Sequence, residues 1–159
     1  MNLSKPSLLT PFPICLLLPI CLLVLVASCT GQSLETRTLH VGTSAFKTEI
    51  VNTPTSREHG LMGRMDLTDE TAMLFVFPDE GNRVFWMKDT PTPLSIAYIS
   101  KQGQVKEILD MEAFSLAPVP SKYSVPYALE VKQGAFARRG VRVGDAIPDA
   151  DLKGLSADR

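Results

Sequence analysis

The chain has 159 residues, a length that predicts a single domain after any targeting segment. Hydrophobic residues make up 45% of it and charged residues 21%, so it can form a core and is unlike a charge-rich disordered chain. The formal net charge is -1, which supplies no general attraction for a phosphate backbone. A nucleic-acid partner is therefore not expected.

The N-terminus has the layout of a secretory signal. Lys5 precedes an apolar run over residues 12–26, and the small residues Ala27 and Ser28 follow it. A basic start, an apolar run and small residues before a cleavage point are the three parts of a signal peptide. We therefore predict that residues 1–28 are removed on export.

Cys29 distinguishes this leader from an ordinary one. The segment Val26–Cys29 resembles the bacterial lipobox, and this resemblance implies that the Cys29 thiol is acylated and becomes the new N-terminus. The alternative is an uncleaved transmembrane helix, but Pro13 and Pro19 interrupt a run shorter than the roughly 20 residues that cross a bilayer. We expect a lipoprotein held to a membrane by its N-terminal lipid, facing the periplasm or the cell exterior.

The other two cysteines, Cys15 and Cys21, lie inside the leader and would be removed with it. Since Cys29 would carry lipid, the remaining domain contains no cysteine. Disulfides, thiol catalysis and thiolate metal sites are therefore excluded from that domain.

Composition divides the chain into four parts. The residues that follow Cys29 are small and polar, as suits a tether, and the last stretch shows little apolar periodicity. Between them, Gly and Pro punctuate short segments, a rhythm typical of β proteins. The predicted parts are a signal peptide over 1–28, a lipidated tether over 29–37, a single β-rich domain over 38–148 and a flexible C-terminal tail over 149–159.

The domain is predicted to begin with a hairpin and a short helix. Residues 39–41 and the alternating segment 46–50 indicate two strands. Thr53 is placed as an N-cap before a proline in the first turn, and Gly60 supplies a stop, which predicts a helix over Pro54–His59.

The rest of the domain reads as strands. Residues 72–77 are apolar on both alternations, which predicts a central strand covered on two sides. The segments 83–87, 94–100 and 104–111 follow as strands of a meander. After a loop that contains several prolines, residues 127–131 are predicted as another strand and 135–139 as one helical turn. The predicted fold class is mainly β: a compact antiparallel β-sandwich or barrel-like domain with one or two short helices.

Several motifs then resemble a known family. They are Gly60–Arg64, Met73–Phe77, Phe85–Thr90, the pair Leu94 and Ile96, and Leu129–Val131, followed by Gly134, Phe136, Gly140, Gly144 and Asp145. Their order resembles the Domain of Unknown Function 192 family from about Leu39 to Ile147. The resemblance implies a compact β-sandwich or barrel-like domain, often exported, with no agreed activity. The chain departs from the family pattern at Asp89, where Asn is expected, and at His59, where the pattern is loose.

A candidate binding cluster lies within these motifs. Trp86 and Lys88 would share one face of a strand, and Asp89 would begin the following turn. Such a ledge suits a small anionic or sugar-like ligand, stacked on Trp86 and paired with Lys88 or Arg64. The alternative is a buried tryptophan beside a lysine that reaches solvent. The candidate cluster comprises Arg64, Trp86, Met87, Lys88, Asp89 and Glu130.

Glu130 belongs to the polar alternation of its strand, with Ala128 and Lys132. It either faces solvent or pairs with Arg64 or Lys88 in a partly buried network, and such an ion pair can be structural as well as functional.

Three functions follow, in decreasing order of expectation. The first is a non-catalytic module of the cell envelope that binds a small ligand or an envelope partner. The second is a periplasmic hydrolase that uses Lys88, Asp89 and Glu130. The third is a Cu(I) protein that uses His59, Met62 and Met65, although methionine is also a common core filler. No catalytic residue, metal ligand or cofactor is assigned.

Overall fold

A computed structural model describes residues 33–158 together with Met1. Most of the predicted signal peptide, and Cys29 with it, lies outside the described residues. Within the described residues, no helix combines the length and the hydropathy needed to cross a membrane.

The domain is mainly β, as predicted. Its described part contains eight strands in two sheets and three short helices, and the sheets are not closed into a barrel. The elements are β1 Glu35–Val41, β2 Ser44–Val51, α1 Pro54–His59, β3 Thr71–Gly81, β4 Val84–Phe85, β5 Leu94–Ile99, β6 Val105–Met111, β7 Val119–Pro120, β8 Val125–Lys132, α2 Ala135–Arg138 and α3 Asp149–Leu152.

The strand order differs from the predicted meander. The six-stranded sheet runs β1-β2-β3-β8-β5-β6, so the last strand lies between β3 and β5. β2 and β3 are parallel, because α1 carries the chain back across the sheet, and the other pairs are antiparallel. The predicted return strand over 83–87 is also wrong: only Val84–Phe85 is a strand, and it pairs with β7 because β8 already occupies the edge of β3.

The predicted helix over Pro54–His59 is confirmed with its bounds. Thr53 Oγ1 accepts a hydrogen bond from the Ser56 N–H at 3.1 Å, and the Thr53 N–H donates to Ser56 Oγ at 3.1 Å. This reciprocal cap satisfies two of the donors that a helix start leaves unpaired. The helix therefore begins at a fixed point beside the sheet.

The large sheet has two faces, and a separate hydrophobic cluster covers each of them. Alternate residues of the central strands belong to different clusters, as a strand requires. The closed face, as we call it, includes Leu39, Phe46, Leu74, Leu129, Phe136, Ile147 and Leu152. The pocket face includes Met73, Phe75, Met87, Leu94, Ile96, Tyr98 and Met111.

The C-terminal residues differ from the predicted flexible tail. Leu152 on α3 is buried in the closed-face cluster, and Leu155 and Ala157 pack against it. The Asp158 N–H donates to the Asn52 carbonyl oxygen at 2.9 Å. Burial of these apolar side chains holds residues 149–158 on the domain. At the other end, β1 begins at Glu35, inside the predicted tether.

Candidate functional site

A cavity of about 220 Å³ lies between α1, the turn after β4 and the pocket face of the sheet. We call it the Glu130 pocket. Its walls are mostly apolar and aromatic, with a few polar side chains, which is the usual composition of a ligand site. The lining residues are Arg57, Glu58, His59, Gly60, Leu61, Met62, Phe75, Phe77, Val84, Phe85, Trp86, Met87, Lys88, Thr90, Leu94 and Glu130.

Arg57 fixes α1 as one wall of this pocket. Its Nη1 donates to the carbonyl oxygens of Asn52 at 2.6 Å and of Val76 at 3.0 Å. Burial, with Arg83 nearby, lowers the pKa of Arg57 from its ordinary value. The hydrogen bond to Val76 holds the helix against β3, and the hydrogen bond to Asn52 holds it to the residue that follows β2.

Gly60 allows the end of α1 to approach the pocket floor. Its φ is +48°, and an added Cβ would lie 3.2 Å from Cζ of Phe75. A side chain at this position would be strained by its backbone angle and crowded by the ring. The glycine that ends the helix therefore also sets the distance between the helix and Phe75.

Aromatic rings form the floor and one side of the Glu130 pocket. The Phe75 and Phe85 centroids are 4.9 Å apart with the rings at 89°, and the Phe85 and Tyr98 centroids are 6.0 Å apart. Edge-to-face contacts of this kind are favourable beyond their buried area. The Tyr98 hydroxyl donates to the Val119 carbonyl oxygen at 2.6 Å, which ties β7 to the same face.

The segment 86–90 is a turn and not the predicted strand end. The Met87 N–H donates to Ser115 O at 2.8 Å and the Thr90 N–H donates to Met87 O at 3.2 Å, while Asp89 has φ +52°. The turn buries Met87 and leaves Trp86 50% exposed. Lys88 Nζ lies 5.7 Å from the Trp86 ring centroid, so the two side chains meet across a turn.

Glu130 is a buried carboxyl group in the middle of the sheet. It lies between Met73 of β3 and Ile96 of β5, and it is 4% exposed. Among the described residues no side chain or backbone group donates a hydrogen bond to its carboxyl oxygens. Burial raises the pKa of Glu130 to about 8. The expectation of a solvated face is therefore wrong for this residue.

Arg64 does not pair with Glu130, which was one of the expected arrangements. Its Nε lies 2.7 Å from Asp66 Oδ1 and its Nη1 lies 3.0 Å from Glu49 Oε2. These hydrogen bonds raise the pKa of Arg64 above its ordinary value. The chain beside Arg64 meets the predicted site through its backbone, since the Gly63 N–H donates to the Asp89 carbonyl oxygen at 2.8 Å.

The remaining predicted site residues are divided between two hollows. Trp86, Met87, Lys88 and Glu130 line the Glu130 pocket, whereas Asp89 lines a neighbouring hollow with Trp86 and Lys88. Sequence reasoning missed the contributions of Arg57, Phe75, Phe77 and Phe85 to the pocket. The capped helix that ends at Gly60 was the available signal, because it places residues 57–62 beside β3.

The described residues do not support a converging metal site. His59 and Met62 line the pocket, but Met65 is 81% exposed and lies outside it. Within residues 33–158, no three His, Cys, Asp or Glu side chains are grouped so that they could hold a metal ion.

An exposed apolar patch adjoins the mouth of the pocket. Val84, Trp86, Phe114 and Leu116 each have half or more of their surface exposed, and the last three also line the hollow next to Asp89. Contiguous apolar surface of this kind is typical of interaction sites.

Comparison with known proteins gives a family and a fold. The model of the DUF192 family, described as uncharacterized ACR, matches residues 37–148. A structure from Sinorhizobium meliloti 1021, provisionally described as a transcription regulator, has a TM-score of 0.70 and 29% identity, covering 73% of this chain and 95% of that one. A protein of unknown function from Novosphingobium aromaticivorans DSM 12444 has a TM-score of 0.71 and 27% identity, covering 75% and 89%. No curated protein matches the chain.

Proposed function

Because the chain belongs to the uncharacterised DUF192 family, we propose its role from the site: it is a non-catalytic module of the cell envelope that binds a small ligand in the Glu130 pocket. The observation that carries this proposal is the Glu130 carboxyl group, which is buried, has no hydrogen-bond partner among the described residues and lines an aromatic cavity. A buried polar group without a partner is costly to the fold. A ligand that supplies the partner would offset this cost.

The position of Trp86 provides a direct test. It is the only tryptophan of the chain and it lines the pocket, so its fluorescence reports on the occupied state. A small-molecule library is screened against the purified protein by Trp86 fluorescence and by thermal shift. True ligands change the emission and raise the melting temperature, because a ligand of the native state stabilises it.

Two matched variants decide where a hit binds. Glu130→Gln removes the carboxyl group inside the pocket, whereas Glu107→Gln removes a buried carboxyl group on the same face that is paired with Lys122 outside it. We expect the first variant to change the affinity of a hit and the second to leave it unchanged. A library without any hit, or hits equally affected by both variants, would contradict the ligand-binding role.

The attachment to a membrane is the second part of the proposal. It is supported by the lipobox-like segment Val26–Cys29 alone, which lies outside the described residues. Metabolic labelling with a fatty-acid analogue should label the wild-type protein, and Cys29→Ser should abolish the label. Undiminished label in the variant would exclude Cys29 as the acylation site.

A hydrolase remains the second candidate, favoured by the raised pKa of Glu130, since a carboxyl group that keeps its proton near neutral pH can act as a general acid. Asp89, the expected second carboxylate, lines the neighbouring hollow and not the pocket. Chromogenic ester and glycoside substrates test this candidate. Turnover that Glu130→Gln abolishes would favour the hydrolase over the binding module.

An envelope partner is the alternative occupant of this surface, and the exposed patch beside the pocket favours it. Phe114→Ser removes an exposed ring from the patch without touching the lining of the Glu130 pocket. If this variant keeps the ligand affinity of the wild type but loses the cellular phenotype, the phenotype depends on a partner that binds the patch.

A further inference from the structure

The geometry points to the ligand class: a small organic ammonium ion, whose charge pairs with the Glu130 carboxylate while its apolar body lies among the aromatic rings. This inference rests on the proposed ligand-binding role of the same pocket.

Arg57 and Lys88 line the pocket, but the contacts they make are with groups other than Glu130. Arg57 donates to the Asn52 and Val76 carbonyl oxygens, and Lys88 Nζ lies over the Trp86 ring at 5.7 Å. Neither contributes an attraction that lowers the pKa of Glu130, whose shift has burial as its cause. An ionised Glu130 would therefore be a buried charge without a direct ion pair among the described residues, and a ligand cation would supply that pair.

The pocket walls also suit a cation. Aromatic faces attract ammonium groups, and rings arranged around a site are the common way to recognise them. The Phe77 ring is already occupied, since the Arg57 and Arg83 guanidinium carbons lie 5.4 and 4.1 Å from its centroid, so a ligand cation would use the other rings. The rings of Phe75, Phe85 and Trp86 line the remaining volume.

The volume limits the size of the ligand. A dry cavity of about 150 Å³ holds benzene, so by proportion about 220 Å³ holds roughly nine non-hydrogen atoms. Phenethylamine has an apolar ring, a short linker and a primary ammonium group within that size. 2-Phenylethanol is its neutral analogue, and phenylacetate is an anionic one.

The elements around Glu130 carry several other ionisable groups, which the variants must separate from it. On β5, burial and the nearby carboxylates raise the pKa of Tyr98 above its ordinary value, so its hydroxyl stays neutral. On β6, Glu107 is paired with Lys122. His59 and Glu58 on α1, with Arg57 and Lys88, are the other ionisable residues of the lining. β3 presents Met73 and Phe75, which do not titrate.

The experiment measures the affinity of the purified protein for each of the three probes, by calorimetry and by Trp86 fluorescence. The protein is held in lipid nanodiscs. At pH 8 we expect phenethylamine to bind at least about tenfold more tightly than 2-phenylethanol, the effect of one charge pair. Glu130→Gln in the same nanodiscs should make the affinities for the amine and the alcohol equal. Because both proteins are measured in the same lipid, this variant also controls for partition of the probes into the bilayer. Glu107→Gln should keep the preference, and Lys88→Gln should strengthen it by removing a like charge from the mouth.

The pH dependence separates Glu130 from its neighbours. Only the ionised carboxylate pairs with the ammonium group, so the affinity for phenethylamine should rise by about ten- to a hundredfold from about pH 6 to about pH 9, where an alkyl amine stays protonated. The rise should persist in His59→Gln and disappear in Glu130→Gln. Equal affinities for amine and alcohol, or a preference for phenylacetate, would overturn the ammonium assignment and leave the ligand-binding role intact. Failure of all three probes, beside hits from the wider library, would also overturn it.

Discussion

The two faces of the large sheet share the same strands and differ in what they bury. On the closed face, Leu74 of β3 lies opposite Leu129 of β8 in a cluster of apolar side chains. One residue further along the same pair, Met73 lies opposite Glu130 on the pocket face. Neighbouring positions in one strand pair therefore carry a core contact and a buried ionisable group.

The difference arises from the elements that cover each face. Apolar side chains from α2, from the segment that ends at Ile147 and from α3 complete the closed face. The pocket face is covered by α1 and by the turn after β4, which leave a cavity above Glu130. Complete packing is favourable, so a face that keeps a cavity and an unpaired carboxyl group gives up stability. Such a loss of stability is typical of functional sites, where the arrangement needed for binding differs from the one that packs best.

The largest expected effect tests the closed face. Phe136 is buried and contacts Phe46, with centroids 6.1 Å apart at 69°. Phe136→Ala should lower the free energy of unfolding by about 3–5 kcal/mol, because it removes contacts and leaves a cavity in a filled cluster. Urea denaturation of the wild type and the variant measures the change.

Phe75→Ala is the matched change on the pocket face. Phe75 lies in the middle of the central strand and is buried, so we expect a loss of about 3–5 kcal/mol, toward the lower end because the ring borders an existing cavity. A loss below about 1 kcal/mol would contradict the placement of Phe75 in the core.

Local signals in the sequence predicted the elements, but they did not predict the order of the strands. Thr53, Pro54 and Gly60 define α1 within a few residues, and the apolar segment 72–77 lies within β3. The insertion of β8 between β3 and β5 depends on contacts far apart in the sequence, which a pattern of period two does not contain. For the same reason the alternation over 83–87 resembles a strand, although only two residues pair.

The third prediction concerns Glu130 and its dependence on pH. Its pKa is about 8 in the fold and about 4.3 when unfolded, so the carboxyl group costs nothing below about pH 4 and destabilises the protein as pH rises to about 8. Glu130→Gln removes this pH-dependent loss. We expect the variant to be more stable than the wild type by up to about 4–5 kcal/mol at pH 8 and equal to it below about pH 4.

Urea denaturation of both proteins at several pH values measures this difference. Other groups titrate equally in the two proteins, so the difference between their curves belongs to Glu130. A parallel pair of curves would mean that the carboxyl group keeps an ordinary pKa and is not desolvated.

The site was predictable only in part for the same physical reason. The alternation of side chains along β8 placed Glu130 on the other face of the strand from Leu129 and Val131. The family motifs pointed to Trp86 and Lys88. Whether the polar side of a strand meets water depends on the elements that cover it, and α1 reaches this face through the backbone contacts of Arg57. No pattern within β8 contains that information.

The fourth prediction compares Glu130 with Glu107, the other buried carboxylate on the same face of the sheet. Glu107 Oε2 accepts a hydrogen bond from the Lys122 N–H, and Oε1 lies 3.1 Å from Lys122 Nζ. Glu107→Gln should therefore destabilise the protein at pH 8, by about 1–2 kcal/mol, because it weakens a charge-assisted hydrogen bond. The two Gln variants should change stability in opposite directions. The same direction for both would show that Glu130 has a partner.

The smallest expected effect is at Arg64. This side chain is partly exposed and pairs with Glu49 and Asp66, so solvent screens its ion pairs. Arg64→Ala should cost less than about 1 kcal/mol in urea denaturation. A network that joined Arg64 to Glu130 would instead strand a buried charge and cost about 3–5 kcal/mol.

A double-mutant cycle on Arg64→Ala and Glu130→Gln separates these two arrangements. Because the partners of Arg64 lie on β2 and in the loop before β3, and none of them is Glu130, the two changes should add to within about 0.5 kcal/mol. Raised salt should reduce the effect of Arg64→Ala, as expected for exposed ion pairs, and leave that of Glu130→Gln unchanged. A coupling energy above about 1 kcal/mol would place Arg64 in the pocket after all and would supply Glu130 with the counter-charge that the ligand is proposed to bring.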